Sequence, residues 1–245
     1  MLNFQEYFKS RSINKIKIEK IGPYSIFTVD GAAVRDMSED GDEFDHFSTH
    51  LELPKVVPDK EIWIDEKVTK HERFFLIHSG VNEYEYKAKG KRNWYEDVLK
   101  HERQERDKVD SVKFKSKPNP EQVPESVYVK LYCDVDDQKV YLINGEKVRD
   151  LYKTDFCCGG NDQVYHKWIP RNEIWIEKDL TEKEEIPITI LHEFVERTLM
   201  KYKRYSYDKA HTIATKVDFK YRRKFTKEDA ENLTAKKALE MARSV

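Results

Sequence analysis

Three polar residues within one short segment, and a histidine further along the chain, are the strongest candidates for chemistry. His192 and Glu196 are four residues apart, so on a helix their side chains lie on one face and can reach a common point. His211 follows 15 residues after Glu196, which is enough chain for a second helix to return. Two histidines and a carboxylate can hold a divalent metal ion, most simply zinc, and leave a fourth position open to water. Glu193 lies beside them, where its carboxylate could take a proton from that water.

The surrounding sequence predicts two helices that would position these residues. Pro187 suits a first helical turn, because its missing N–H would have no partner there. A second helix is predicted from near Ser206 to about Arg222, and it carries Tyr207 and His211. Burying imidazole or carboxylate without partners costs several kcal/mol, and metal coordination is one way to recover that cost. The apolar residues at helical spacing around His192 are Ile188, Leu191, Val195 and Leu199.

The segment Ile190-Leu-His-Glu-Phe-Val-Glu196 resembles the active-site helix of the zincin metallopeptidases, which carry an HExxH motif in an apolar helix. In this resemblance His192 matches the first metal ligand and Glu193 the general base. Glu196 stands where zincins have their second histidine, and His211 would complete a set of two histidines and one glutamate. The resemblance implies a zinc-dependent hydrolase acting on a carbonyl such as that of a peptide bond, with Tyr207 or Arg197 stabilising the oxyanion.

Other functions are compatible with the same residues. A histidine and a glutamate on one helix can form a hydrogen-bonded structural pair, and Glu193 can pair with Arg197 one turn away. The chain would then be a binding or scaffold protein. The hydrolase requires a bound metal ion and the scaffold protein does not, so metal binding distinguishes the two functions.

Much of the sequence occurs twice along the chain, which predicts a duplicated domain. The segment Val29-Asp-Gly-Ala-Ala-Val-Arg-Asp36 returns as Ile143-Asn-Gly-Glu-Lys-Val-Arg-Asp150. A second block, Glu-Ile-Trp-Ile, begins at Glu61 and again at Glu173, and each copy is predicted to be a short strand. The shift between the copies stays near 112 to 114 residues, as in the pairs Gly31 and Gly145, Phe44 and Phe156, Trp63 and Trp175, and His78 and His192.

Only the second copy carries the complete set of chemical residues. With His78 aligned to His192, Ser79 and Asn82 replace Glu193 and Glu196, and Leu99 aligns with His211 when Tyr95 is matched to Tyr207. The first copy is therefore expected to be a structural partner. Glu61 and Glu173, present in both copies, are expected to bind a backbone group or an arginine such as Arg149. For the same reason Arg35 with Asp36, and Arg149 with Asp150, are interpreted as structural ion pairs.

The predicted fold class is α+β, with two tandem copies of a small sheet packed by helices and a helix at the C-terminus. The Asp-Gly and Asn-Gly steps predict β-hairpins whose second strands begin at residues 33–36 and 147–150. The predicted domains are residues 1–114, a linker of residues 115–126 with three prolines, and residues 127–222. Thr226 with Asp229 predicts the start of a C-terminal helix within residues 223–245, packed on the body or on a second copy in a homo-oligomer.

Composition narrows the possible partners. The 45 basic and 46 acidic residues nearly cancel, so net charge gives no support for nucleic-acid binding. No stretch is apolar for the ~18–20 residues that a membrane span needs, so no membrane partner is expected. The three cysteines and the missing leader pattern predict a reducing cytoplasm. The adjacent Cys157 and Cys158 are interpreted as poor candidates for a bond to each other, and Gly159 with Gly160 predicts a tight turn or a close backbone approach.

Overall fold

The computed structural model describes residues 13–37, 44–111, 118–222 and 224–245. The chain divides into two compact units, residues 1–102 and residues 103–245. Of the predicted linker, residues 115–117 lie outside the described part, and the remainder contains two 3₁₀ turns, Pro120–Gln122 and Glu125–Val127.

Each unit contains a four-stranded mixed sheet, and the two sheets share one topology. In the first unit the strands are β1 (Lys15–Ile21), β2 (Tyr24–Val29), β3 (Phe47–Thr49) and β4 (Glu61–Asp65), in the order β1-β2-β4-β3. In the second unit they are β5 (Tyr128–Val135), β6 (Gln138–Ile143), β7 (Gly159–Asn161) and β8 (Glu173–Glu177), in the order β5-β6-β8-β7. In both sheets the two central strands are parallel and each edge strand is antiparallel to its neighbour. This repetition supports a duplication, and the predicted α+β class is confirmed.

The predicted strands at Glu-Ile-Trp-Ile are confirmed as β4 and β8, but the hairpin prediction at Asp-Gly and Asn-Gly is wrong. Asp30 and Asn144 are the N-caps of short helices, α1 (Gly31–Arg35) and α4 (Gly145–Leu151). Each cap side chain accepts a hydrogen bond from a backbone N–H three residues later, which is a group that a helix start leaves without a partner. The hairpins lie one strand earlier, at β1–β2 and β5–β6.

The repeated glycine and arginine of this motif surround one buried carboxylate in each unit. A Cβ on Gly31 or Gly145 would lie 1.9 Å from a carboxylate oxygen of Asp65 or Glu177, so only glycine fits. Arg35 pairs with Asp65. Arg149 pairs with Glu177. The interpretation of Arg35–Asp36 and Arg149–Asp150 as ion pairs was therefore wrong, because each arginine reaches the acidic residue that ends the neighbouring strand.

The repeated glutamates at the start of β4 and β8 have a different partner from the one expected. Glu61 accepts a hydrogen bond from the indole N–H of Trp63 at 2.7 Å, and Glu173 accepts one from Trp175 at 2.8 Å. These bonds satisfy the indole donor while the ring packs on the sheet. The expected contact between Glu173 and Arg149 is not made, since Arg149 pairs with Glu177.

Four helices after β8 share one apolar core with the sheet of the second unit. They are α5 (Glu185–Lys203), α6 (Tyr207–Tyr221), α7 (Lys227–Glu231) and α8 (Ala235–Ala242). The predicted capping box is present, since Thr226 and Asp229 bond reciprocally at the start of α7. Ala238 and Met241 of α8 are buried in the same core as Leu191 and Val195 of α5. The tail thus packs on its own unit and forms two short helices, α7 and α8, where one was predicted.

The first unit has two long helices after its sheet, α2 (Lys70–Ala88) and α3 (Trp94–Val109), of which α3 continues beyond Glu102. Thr69 caps α2 by accepting from the backbone N–H of Glu72. The apolar side of α2, with Leu76 and Ile77, packs on Ile62 and Ile64 of β4. Within the described residues, no helix is both long and apolar enough to cross a membrane.

Candidate functional site

Helix α5 carries the candidate residues through the most buried part of the second unit. Its first turn is fixed by the carboxylate of Glu185, which accepts hydrogen bonds from the backbone N–H and the hydroxyl of Thr181. Its last turn ends at Arg204, which adopts a left-handed conformation with φ of +56°. Between these ends every residue from Ile190 to Leu199 is buried. The polar residues of this stretch therefore need partners inside the protein.

His192, Glu196 and His211 converge, as their spacing predicts. Nδ1 of His211 lies 2.9 Å from a carboxylate oxygen of Glu196 and 3.2 Å from Nε2 of His192. One potential ligand atom from each residue lies within 4.8 Å of the other two. Glu196 is 2% exposed, whereas the side chain of His211 is 33% exposed, so the cluster is buried on the α5 side and reaches solvent on the α6 side.

The three residues of this cluster cannot all make good hydrogen bonds to one another at the same time. A histidine nitrogen carries either one hydrogen or one lone pair. Nδ1 of His211 therefore cannot donate to Glu196 and accept from His192 at the same time, and at best one N–H is shared between them. A cation at this point would accept a lone pair from all three residues.

Two contacts orient the histidines. Nδ1 of His192 lies 3.8 Å from a carboxylate oxygen of Asp218 on α6, which is beyond hydrogen-bond distance but places the acidic side chain on the far side of the ring from Nε2. Tyr207 lies one turn before His211 and stacks on it, with ring centroids 5.2 Å apart. Arg222 in turn pairs with Asp218 at 2.8 Å. Each imidazole ring thus has a neighbour outside the cluster that restricts its orientation.

Asn161, the last residue of β7, is a site residue that the sequence did not predict. Its amide nitrogen donates to a carboxylate oxygen of Glu193 and to one of Glu196, each at 2.8 Å. Its amide oxygen accepts from the backbone N–H groups of Gln163 and Val164, which fixes which end of the amide faces the carboxylates. Asn161 is fully buried. It therefore joins the two glutamates of α5 and leaves the other oxygen of Glu196 facing His211.

The glycine at the start of β7 creates the space for Glu193. A Cβ on Gly159 would lie 3.0 Å from Thr189 and 3.1 Å from the side chain of Glu193. These contacts are tighter than ordinary van der Waals packing, so a Cβ at this position would require Thr189 or Glu193 to shift by a few tenths of an ångström. The predicted close backbone approach at Gly159 and Gly160 is confirmed, and what approaches Gly159 is the helix with the candidate base.

Arg197 is not available as an oxyanion partner. Its guanidinium is 1% exposed, and it pairs with Asp162 at 2.5 Å and donates to the side chain of Asn172 at 3.2 Å. The expected contact between Arg197 and Glu193 is replaced by these bonds and by the bond from Asn161 to Glu193. Of the two predicted oxyanion partners, only Tyr207 lies against the cluster, through its stacking on His211.

Tyr165 is a second neighbour that the sequence did not predict. Burial raises the pKa of its phenol, and the nearby carboxylate of Glu193 and phenol of Tyr207 raise it further. The phenol therefore stays protonated and remains a donor beside the glutamates. Its ring stacks on Trp168, with centroids 4.6 Å apart. Only the fold could identify Tyr165, because its position follows no spacing rule relative to His192.

Comparison of the chain with models of protein families, with curated proteins and with solved structures found no match. The function of this site therefore has to be argued from its own geometry.

Proposed function

We propose that the second unit is a zinc-dependent hydrolase with a zincin-like site, in which His192, Glu196 and His211 hold the metal ion. The observation that carries this proposal is the separation of the ligand atoms. Zinc bonds of about 2.0–2.2 Å to nitrogen and oxygen place neighbouring tetrahedral ligands about 3.3–3.6 Å apart. The separations of 3.2 Å and 2.9 Å at Nδ1 of His211 lie just below this range, so a small outward movement of the side chains would admit the ion.

The donor set suits a catalytic site better than a structural one. Structural zinc sites are usually closed by four protein ligands, whereas catalytic sites have three and an open position. Here three residues converge, and the exposed side of His211 is where a fourth ligand from solvent would enter. A bound zinc ion would supply Lewis acidity, polarising a substrate carbonyl and lowering the pKa of a water molecule.

Glu193 is proposed as the general base. Its carboxylate is next to the cluster, because the same amide of Asn161 that holds Glu196 also holds Glu193. One oxygen of Glu193 accepts from Asn161, and the role assigned to the carboxylate is to take a proton from the attacking water and pass it to the leaving group. Proton transfer of this kind typically contributes a factor of about 10²–10⁴ to the rate.

The substrate class is a carbonyl compound with a leaving group that needs a proton, and a peptide bond is the proposed example. Hydrolysis develops negative charge on the carbonyl oxygen, and a phenol donor can stabilise it. Tyr207, which is exposed and stacked on His211, is the proposed donor. Tyr165, whose raised pKa keeps it protonated, is a second phenol beside Glu193.

The first test is a zinc titration of the purified chain in competition with a chromophoric chelator. The parent should bind one zinc ion, and His192→Ala, Glu196→Gln and His211→Ala should each weaken binding by at least about 100-fold, since each removes a ligand. Glu193→Gln should keep the zinc and lose hydrolysis of a peptide library. His166→Ala is the matched control, because His166 is an exposed histidine of the same unit outside the cluster.

Two results would overturn the proposal. If the folded parent takes up no zinc, manganese or iron(II), the three residues form a structural polar network and the scaffold function is favoured. If zinc binds but Glu193→Gln hydrolyses the library as fast as the parent does, Glu193 is not the base. Circular dichroism of every variant separates lost ligands from lost folding.

A further inference from the structure

The turn that leads into β7 holds two adjacent cysteines with their sulfur atoms in contact. Sγ of Cys157 and Sγ of Cys158 lie 3.0 Å apart, and both residues are half-buried. Thiols at this separation need to approach by only about 1 Å to reach the disulfide bond length of about 2.04 Å. The contact makes the pair a candidate for chemistry that the proposed hydrolase site does not use.

The backbone at this turn is unusual for residues with a side chain. Cys158 has φ of +58°, and the N–H of Gly159 donates to the carbonyl of Cys157 at 2.6 Å. A hydrogen bond between residues two apart around a positive φ defines a γ-turn of the rare, strained kind. The turn is held by the N–H of Glu177, at the end of β8, which donates to the carbonyl of Cys158. Strain of this kind persists only where the surrounding structure enforces it.

The strained turn is joined directly to the residues that hold the glutamates of α5. Gly159 follows Cys158 and packs against Glu193, and Asn161 is two residues further along. A change of conformation at Cys158 therefore acts on β7 with almost no intervening chain. Since β7 is only three residues long, it has few bonds of its own to resist that change.

We propose that Cys157 and Cys158 form a redox-sensitive dithiol that a small-molecule disulfide oxidises to a disulfide between adjacent residues, and that ring closure moves β7 relative to α5. One cysteine thiolate attacks the small disulfide, forming a mixed disulfide and releasing one thiol. The second cysteine thiolate attacks the protein sulfur of that mixed disulfide and releases the other thiol. The two cysteines together lose two electrons and two protons, and the small disulfide is reduced to two thiols.

Such a bond suits a reversible switch better than a permanent cross-link. The Cα atoms of adjacent residues are about 3.8 Å apart across a trans peptide, below the usual range of about 4.4–6.8 Å for disulfides. A strained disulfide is more easily reduced than an ordinary structural one. This agrees with the sequence-based expectation that the pair is a poor choice for a structural bond, and it gives the pair a different use.

The oxidation itself is tested by mass spectrometry of the unreduced tryptic peptide that contains both cysteines, residues 154–167. After treatment of Cys133→Ser protein with oxidised glutathione, this peptide should lack two hydrogens and regain them with dithiothreitol. Cys158→Ser, treated in the same way, should carry a glutathione adduct. If the parent peptide carries only glutathione adducts, or only links to a second chain, the proposed bond does not form.

The effect on β7 is tested by hydrogen exchange of the amides of residues 159–161, which should exchange at least about 10-fold faster after oxidation in the parent and unchanged in Cys157→Ser. Equal exchange before and after oxidation would overturn the coupling. The consequence for zinc rests on the proposed function: affinity should fall about 10- to 100-fold, because Asn161 is an outer partner of the ligands. A reduced protein that binds no zinc would refute the hydrolase and leave the peptide and exchange results to decide the switch.

Discussion

The two units place buried glutamates at matching positions, but only the second places histidines beside them. In the second unit Asn161 donates to Glu193 and Glu196. In the first unit Thr49 occupies the position of Asn161, since each is the last residue of its edge strand and pairs with the matching isoleucine of the next strand. The hydroxyl of Thr49 donates to Glu83 at 2.6 Å. The fold thus keeps a donor on the edge strand and a carboxylate on the helix in both units.

These contacts change the alignment of the two helices by one residue. Matching Glu83 to Glu196 through their strand partners gives a shift of 113 residues, and the same shift matches the buried Glu72 to the buried Glu185. His192 is then matched by Ser79, whose hydroxyl donates to Glu102 of α3 at 2.6 Å. His78, aligned with His192 by sequence identity, instead packs its ring on Phe74.

At one pair of matched positions, the larger residue lies on the helix in the second unit and on the strand in the first unit. With the helix shift of 113, Glu193 is matched by Gly80, and with the strand shift of 112, Gly159 is matched by Phe47 on the edge strand. In the second unit the strand glycine makes room for the helix glutamate, and in the first unit a Cβ on the helix glycine would lie 2.9 Å from the side chain of Ile62 on β4. The second unit therefore has a polar cluster at the place where the first unit has apolar packing. Such a loss of apolar packing is expected where a site needs the space.

The largest expected effect is a difference in stability between a substitution at Asn161 and one at Thr49. Asn161→Leu removes bonds to two carboxylates and two backbone N–H groups, and it should lower the free energy of unfolding of the second unit by about 3–5 kcal/mol. Thr49→Val removes one bond to a carboxylate and one to a backbone N–H, and it should cost the first unit about 1–3 kcal/mol. Hydrogen exchange in urea, read separately on peptides of α5 and α2, measures both.

The two substitutions are matched, so their effects on stability can be compared directly. Both substitutions replace a polar side chain with an apolar one of similar shape, so the change in volume is small in each unit. If the two variants lose the same stability, Asn161 is an ordinary structural polar residue and its contacts with the two glutamates carry no extra free energy.

The sequence predicted the cluster well because helical spacing is a local property. His192 and Glu196 share a face for geometric reasons that do not depend on the rest of the fold, and a second helix could return His211 after a short turn. The strands at Glu-Ile-Trp-Ile were also predictable, since a repeat fixes both copies once one is interpreted. The short helices after Asp30 and Asn144 were missed, because a cap residue followed by glycine is compatible with both a turn and a helix start.

The parts that the sequence could not predict are the contacts between distant segments. Asn161 lies 35 residues before Glu196, and only the pairing of β7 with β8 brings it there. Likewise, the partner of Arg149 is Glu177 and not its neighbour Asp150, because the carboxylate at the end of β8 lies over Gly145. An asparagine after two glycines is typical of a turn, so the local sequence gave no sign that Asn161 contacts the glutamates.

A gain of metal binding in the first unit would sharpen the comparison further. Ser79→His with Leu99→His should create a second set of two histidines and a glutamate around Glu83, in a chain whose own site is removed by His211→Ala. We expect zinc binding about 10- to 100-fold weaker than at the second-unit site, because Thr49 supplies one donor where Asn161 supplies two. A competition titration measures the affinity.

The control for this design is the same double substitution with Glu83→Gln, which should abolish the gain. If the two new histidines bind zinc equally well with glutamine at position 83, the matching of Glu83 to Glu196 is wrong. Absence of zinc in a correctly folded double variant would show that the histidines of the second unit depend on more than these matched positions.

The smallest expected effect concerns the pH dependence of the first unit. Burial raises the pKa of Glu83 well above its ordinary value of 4.5, and the charge of Glu52 raises it further. The carboxylate of Glu102 also raises it, whereas the bond from Thr49 and the charge of Lys87 on α2 lower it. Glu83 is fully buried, and within the described residues one of its oxygens has no hydrogen-bond partner. Such a carboxyl group is more stable in the neutral form.

The sign of the effect follows from proton binding. Because folded Glu83 binds its proton more tightly than the unfolded chain does, the free energy of unfolding falls as the pH rises above about 4.5. Glu83→Gln should therefore flatten the decline in stability of the first unit between about pH 5 and about pH 8, while the second unit keeps its own profile. Hydrogen exchange on α2 and α5 across this range measures both. A parent whose first unit is equally stable at both ends would mean that Glu83 keeps its ordinary pKa, and the first unit would then tolerate a buried charge that the second holds only with Asn161.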